Sequence, residues 1–367
     1  MHIPDGYLSP QTCVAAYAVA VPTLAVASRK VSAQLPARRV PTLAMFSAVS
    51  FLVMMFNVPV PDGTSAHAVG AVIIAIVLGP WAAVIAIAVA LLLQALLFGD
   101  GGVLAYGANV VNLAIVMPFV GIAVYRLIAG DSPLDSRRRL VAAGVAGYCG
   151  INVAALVAAV MFGLQPVLFQ SADGAPLYSP YPMSMTIPAM ALAHLVIAGP
   201  VEAILTVAVF RYLVASNPES LRATHSGLLG ADGTAADRGD RRGSRLTPGK
   251  VAVGSVAVLA LASPLGLLAQ GTAFGESAPE ELPLTELGVG AIPEGMRRYA
   301  EFWSHALLGD YGFGDGANPV VAYWVSALVG IVTVGVVVFA VMTLASWLRR
   351  TGGRRPATTR QADPADA

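Results

Sequence analysis

From Ala68 to Leu97 the sequence offers a single clearly polar side chain, Gln94. A run of about 20 apolar residues is what an α-helix needs to cross the hydrocarbon of a bilayer. A stretch of this kind cannot stay in water without a large apolar covering, and it constrains the chain more than any motif does. The rest of the composition agrees. Of 367 residues, 56% are hydrophobic and only 12% are charged, about half the charge of a typical soluble domain. Short alternating segments of the β-barrel kind are not visible. The expected fold class is therefore all-α, a polytopic transmembrane helical bundle.

Nine apolar segments can be read, at roughly 11–27, 41–58, 67–79, 81–98, 107–127, 140–162, 186–212, 250–269 and 320–348. The third is short for a crossing. It ends at Gly79-Pro80, a helix stop followed by a helix start, and a short or partly re-entrant helix beside a pocket would explain it. Alternate loops are basic, with Arg29, Lys30, Arg38 and Arg39, then Arg137 to Arg139, then Arg222 to Arg245, then Arg349 to Arg355. By the positive-inside rule these loops face the cytoplasm. The N-terminus and His67 are then expected outside and the C-terminus inside, in the plasma membrane of a prokaryote.

Composition divides the chain further. Residues 1–213 form a seven-span membrane domain, and 214–249 are polar and Gly-rich and read as a cytoplasmic linker. A two-span unit follows at 250–348, with an outer loop from about 270 to 319 that opens on Glu276, Glu280, Glu281 and Glu286. Residues 349–367 read as a disordered basic and polar tail. The tetrapeptide Phe-Gly-Asp-Gly occurs at Phe98 to Gly101 and again at Phe313 to Gly316, and is read as repeated turn chemistry. Cys13 and Cys149 lie in apolar stretches without metal or disulfide spacing.

The chemistry concentrates at the start of the chain. Met1-His2 is not followed by the basic-then-apolar pattern of a secretory signal, so Met1 is expected to keep a free amine. That amine, the amide nitrogen between residues one and two, and Nδ1 of His2 can chelate one metal ion in fused rings. A further nitrogen closes a square, and planar nitrogen coordination favours Ni(II) or Cu(II). A histidine at position two is by itself ordinary. The Pro4-Asp5-Gly6 turn directly after it can fold the first residues back into the membrane body. His67, in Pro61-Asp62-Gly63-Thr64-Ser65-Ala66-His67, is the natural fourth ligand on the same side. A helix cap or an interfacial histidine is the plainer reading of that residue.

Together, MHIPDGYLSP, the PDGTSAH segment, GPWAAVIAIAVALLLQALLFGDGG and YGANVVNLAI resemble the CbiM/NikM family over about residues 1–213. These proteins are the substrate-capture components of energy-coupling factor transporters for cobalt and nickel. The resemblance implies seven spans with an outward N-terminus. It also implies a metal bound by the Met1 amine, the amide and side chain of His2, and His67. The implied partners are a transmembrane coupling subunit, two cytoplasmic ATPase subunits, Ni²⁺ or Co²⁺ and the lipid bilayer, with no nucleic acid and no prosthetic group; cobalamin biosynthesis or nickel enzymes would be the destination of the metal. Ala262 to Leu268 and Phe274-Gly275-Glu276 resemble the CbiN/NikN-like accessory unit fused to some members, though the PDGLE-type motif is missing. Its acidic loop could concentrate cations or have no ligand role.

Five further residues bear on the site. Asn109 could orient the N-terminal loop or His67, or merely cap its helix. His194, mid-membrane, is expected to support the site rather than ligate. Glu202 either pairs within the bundle or faces the end where a coupling subunit docks. His225 and His305 read as solvated bystanders. No phosphate loop, His-Glu-x-x-His or nucleophile–base pair is present in the sequence, so ATP hydrolysis would belong to other subunits. Two other readings remain open: an intramembrane metalloenzyme built on His67, His194 and Glu202, and a stand-alone ion-coupled carrier. The first would need three protein ligands and an open position, and the second carboxylates at mid-membrane.

Overall fold

A computed structural model of the chain describes residues 2–60, 64–225, 248–269, 273–313 and 316–352. Most of the expected linker, 226–247, and the tail from 353 onward lie outside the described residues, as does Met1. Among the described residues, seven helices are long and apolar enough to cross a membrane. They are α1 Pro10–Gln34, α2 Ala37–Met54, α4 Pro80–Phe98, α5 Tyr106–Ala129, α6 Arg137–Leu168, α7 Met183–Ser216 and α9, which runs over Pro319–Gly352. Two further helices are shorter, α3 Ala71–Leu78 and α8 Pro248–Ala262. The nine apolar segments of the sequence thus all become helix, but two of them fall short of a full crossing. The protein is an all-α, multi-pass membrane protein. Helix α9 carries on past Arg349 to Gly352, so the first residues of the segment expected as a disordered tail are helical.

Local chemistry sets the boundaries. Ser9 caps α1 by accepting from the Thr12 amide at 3.1 Å, with Pro10 in the first turn. Ser136 does the same for α6. Gly79, at φ +93°, ends α3, and Pro80 opens α4. Stretches of π-helix at Gln94–Phe98, Val110–Val116 and His194–Ala198 interrupt the regular winding of α4, α5 and α7. Such segments are common near functional sites.

The third segment does not begin at His67 as a helix. Residues 58–60 and 64–66 form a two-stranded antiparallel pair, Val58 opposite Ala66, and α3 starts only at Ala71. With eight residues it is about 12 Å long at 1.5 Å per residue. The extended chain ahead of it therefore carries His67 into the bundle. Every residue of α3, and nearly all of α4, is buried. The buried Glu202 of α7 holds the start of α3: its carboxylate accepts the Val69 amide at 2.8 Å and the Gly70 amide at 2.9 and 3.1 Å. A carboxylate on the free N–H groups of a helix start is favourable both as a hydrogen bond and against the helix dipole. Glu202 therefore does pair inside the bundle.

Residues 2–9, the 99–105 loop, the end of α6 and the 273–313 segment meet at one end of the bundle. Arg39 and Arg139 lie at the other, where the Arg39 guanidinium donates to the Glu219 and Ser220 carbonyls and that of Arg139 to the Tyr125 hydroxyl. The Arg222–His225 turn also packs there. His225 is buried, not solvated: its Nε2 lies 3.0 Å from the Tyr125 hydroxyl. Burial, then the Arg139 guanidinium, push its imidazole down to about 4.

The second unit docks on the first through α9 against α2. Gly330 of α9 abuts the Phe51 ring so closely that a Cβ there would overlap it. Gly330→Leu should destabilise the protein by about 1–3 kcal/mol through overpacking, whereas Gly335→Leu, with open space around it, should leave thermal unfolding unchanged. Melting the two purified variants side by side checks this.

Candidate metal centre

The first residues after Met1 are strapped to the bundle by their backbone. The Asn109 side chain embraces Ile3, accepting its N–H at 2.8 Å and donating to its carbonyl at 3.1 Å. The Gly102 amide donates to the same carbonyl at 2.8 Å. Asp5 turns back and accepts the Val103 amide at 3.0 Å and the Ala105 amide at 2.9 Å. Ser9 N–H donates to the Gln165 side chain at 2.9 Å, and Ser179 N–H to the Tyr7 carbonyl at 2.9 Å. Glycine makes the approach feasible: a Cβ on Gly101 would sit 3.2 Å from both the Asn109 amide and the His2 Cβ. Asn109 makes no cap to its own helix; it holds the N-terminal segment.

This strapping buries His2, at 2% exposure, beside His67, at 4%. The rings stack with centroids 4.9 Å apart and planes 16° from parallel. His67 Nδ1–H donates to the Ala68 carbonyl at 3.0 Å, so its lone pair is on Nε2, the arrangement a metal-binding imidazole needs. Burial keeps the His67 imidazole well below its ordinary value and therefore neutral. His2 Nδ1 meets Asp100 Oδ1 at 3.0 Å, and its Nε2 is buried without a hydrogen-bond partner among the described residues. Chelation through Nδ1 would need this nitrogen to leave Asp100.

Sequence reasoning left out two carboxylates that the fold brings here. Asp100 belongs to the first Phe-Gly-Asp-Gly turn. Its other oxygen accepts from the Tyr311 hydroxyl at 2.5 Å and from Gln94 at 3.3 Å. Burial alone would raise its carboxyl; His2 and the Tyr311 hydroxyl outweigh that and hold it well below the usual range. Glu276 comes from the second unit, and its Oε1 accepts the His2 backbone N–H at 2.7 Å. His2, His67 and Glu276 each present one ligating atom, all within 4.8 Å of one another. Two ligands about 2 Å from one ion lie at most about 4 Å apart, so the two imidazoles close by less than about 1 Å to share a cation. The acidic loop was visible in the sequence, and Phe274-Gly275-Glu276 carried the accessory-unit resemblance, but nothing there placed Glu276 beside His2.

The other candidates stand apart. His194 is buried in the π-stretch of α7, donates Nδ1–H to the Met190 carbonyl at 2.8 Å, and is not in the His2–His67–Glu276 group. Glu202 is taken up by α3. His305 is exposed beside Trp303.

The model of the CbiM family, described as a cobalt uptake substrate-specific transmembrane region, matches residues 2–220. The chain belongs to the CbiM family. Over 344 residues it is 46% identical to the fused nickel transport protein NikMN of Rhodobacter capsulatus, with 90% of this chain and 94% of the relative covered. It is 43% identical over 336 residues to the probable fused nickel transport protein LarMN of Lactiplantibacillus plantarum, with the same coverage of 90% and 94%. Both alignments run into the second unit, so the CbiM-type domain carries a fused NikN-like part. A crystal structure of a truncated transition metal transporter superposes with a TM-score of 0.55 at 52% identity, covering 59% of this chain and 99% of that one. Relatives named as metal transport proteins place this member among transporters and not enzymes.

The strap predicts its own failure. Asn109→Ala removes two hydrogen bonds to Ile3, about 1 kcal/mol each. Hydrogen exchange at the Ile3 amide should accelerate by about 30-fold, while α4 and α6 keep their protection; exchange followed by mass spectrometry reads both.

Proposed function

We propose that this chain is the metal-capturing subunit of an energy-coupling factor transporter that imports Ni²⁺ or Co²⁺. The ion is held by the Met1 amine, the amide nitrogen and Nδ1 of His2, and Nε2 of His67. The observation that carries the reading is the burial of His2 against His67, two imidazoles from separate segments, each set by its own strap. Asn109 and Asp5 fix the first, and Glu202 fixes the start of α3 behind the second. Asn109 thereby positions the chelate, and His194 supports the wall under the strand pair without ligating.

Four nitrogens, two of them needing to lose protons, select a borderline divalent ion over Mg²⁺ or Ca²⁺, which prefer oxygen. Planar geometry favours Ni²⁺; a further axial ligand would suit Co²⁺. The outer face of the membrane is the side of capture. The energy comes from two cytoplasmic ATPase subunits through a transmembrane coupling subunit, because the chain lacks a phosphate loop of its own. Residues 1–213 are the capture domain, 214–249 its cytoplasmic linker and 250–348 the accessory unit. Carrier and metalloenzyme readings lose support because Glu202, their mid-membrane carboxylate, has both oxygens engaged by backbone amides.

Extending the N-terminus by one residue moves His2 out of the chelate and should abolish high-affinity nickel binding in equilibrium dialysis. His67→Ala should lose cellular uptake while inserting normally. Uptake that persists at the wild-type rate would assign the fourth position to another residue.

A further inference from the structure

An amide nitrogen binds a metal only after giving up its hydrogen, and in this structure that hydrogen already has an acceptor. The His2 N–H points at Glu276 Oε1, 2.7 Å away. Two further carboxylates lie nearby and contact other groups: Asp100 the His2 ring, Tyr311 and Gln94, and Asp5 the Val103 and Ala105 amides. The turn that carries Glu276 is fixed from several sides. Its own amide closes the turn on the Ala273 carbonyl at 3.0 Å. Gly275, at φ +78°, leaves room for Phe162, which a Cβ would meet at 2.9 Å. The Phe274 ring lies 4.8 Å from the Tyr181 ring, centroid to centroid, and the Tyr7 hydroxyl donates to the Ser277 carbonyl at 2.8 Å. Glu276 is thus set in place by contacts of its neighbours with α6, the α6–α7 loop and the N-terminal segment, and the residue itself is only partly buried.

We propose that Glu276 is the proton acceptor for the His2 amide as the cargo ion enters, so that the fused second unit supplies the base for metal loading. The inference rests on the chelate described above. The hydrated divalent ion gives up a water molecule and approaches the nitrogen. The amide N–H bond breaks, its electron pair stays on nitrogen and forms the bond to the metal, and the proton passes to Glu276 Oε1. The neutral carboxyl then hands that proton to a water molecule and is restored. No electron is transferred, the ion stays divalent, and water is the only co-reactant. An uncatalysed amide loses its proton slowly; a fixed carboxylate on the hydrogen removes that delay, in the manner of general base catalysis. Uptake of the ion is thereby tied to correct docking of the second unit.

Stopped-flow mixing of Ni²⁺ with the detergent-purified full chain, followed by the absorption of planar nitrogen-bound nickel, tests this. Glu276→Gln keeps an oxygen for the His2 N–H but cannot take its proton. It should load on the order of a hundredfold more slowly and still reach the wild-type spectrum, and Glu276→Ala should be equally slow. Loading of Glu276→Gln at the wild-type rate would overturn the proposal and leave the side chain as a mere hydrogen-bond acceptor, whatever the Ala variant does. If the wild-type chain itself never develops the planar-nitrogen absorption, the capture site fails and this role falls with it.

Discussion

A chain end frays unless its backbone groups find partners, because ordering each residue costs about 1–2 kcal/mol of conformational entropy. Asp5 and Asn109 provide those partners here. The two side chains, with the Gly102 amide, turn residues 3–5 into a short ladder against the 102–109 segment. The position of His2 depends on that ladder, and so does every contact around it. The ladder in turn depends on two glycines: Gly101 and Gly102 carry no Cβ where His2, Asn109 and Asp5 press in.

The second half of the centre is built by a different device. The strand pair 58–66 and the eight-residue α3 replace a full-length helix, so His67 enters on extended chain and stops inside the bundle. Backbone left unpaired at that depth is costly, and Glu202 meets the cost at Val69 and Gly70. The two imidazoles are therefore delivered by independent scaffolds, and the second unit closes over both. Tyr311, held at φ +60° in a region that side chains seldom occupy, reaches Asp100, while Glu276 reaches the His2 amide.

Much of this was legible in the sequence because it is local. Apolar runs gave the helices, Gly79-Pro80 the break between α3 and α4, and Pro4-Asp5-Gly6 the fold-back of the chain end. Met1-His2 and His67 stood out through known coordination chemistry and the CbiM-type motifs. What escaped is long-range. Asp100 sits in a turn whose tetrapeptide recurs at Phe313, and nothing in four residues tells that one copy meets His2. Glu276 was one of six glutamates in the 270–319 loop, quoted only for the accessory-unit resemblance, and the docking of Phe274 and Gly275 on Tyr181 and Phe162 is what brings it to His2. His225 was read as solvated from its polar neighbourhood, yet the turn 222–225 folds back onto Tyr125. The π-stretches left no mark in the hydropathy pattern.

The account stands on one coordination shell. X-ray absorption at the nickel edge of the metal-loaded full chain, prepared with a free Met1 amine, measures that shell directly. It should show a planar set of four nitrogens with imidazole scattering. An octahedral shell dominated by oxygen would contradict it.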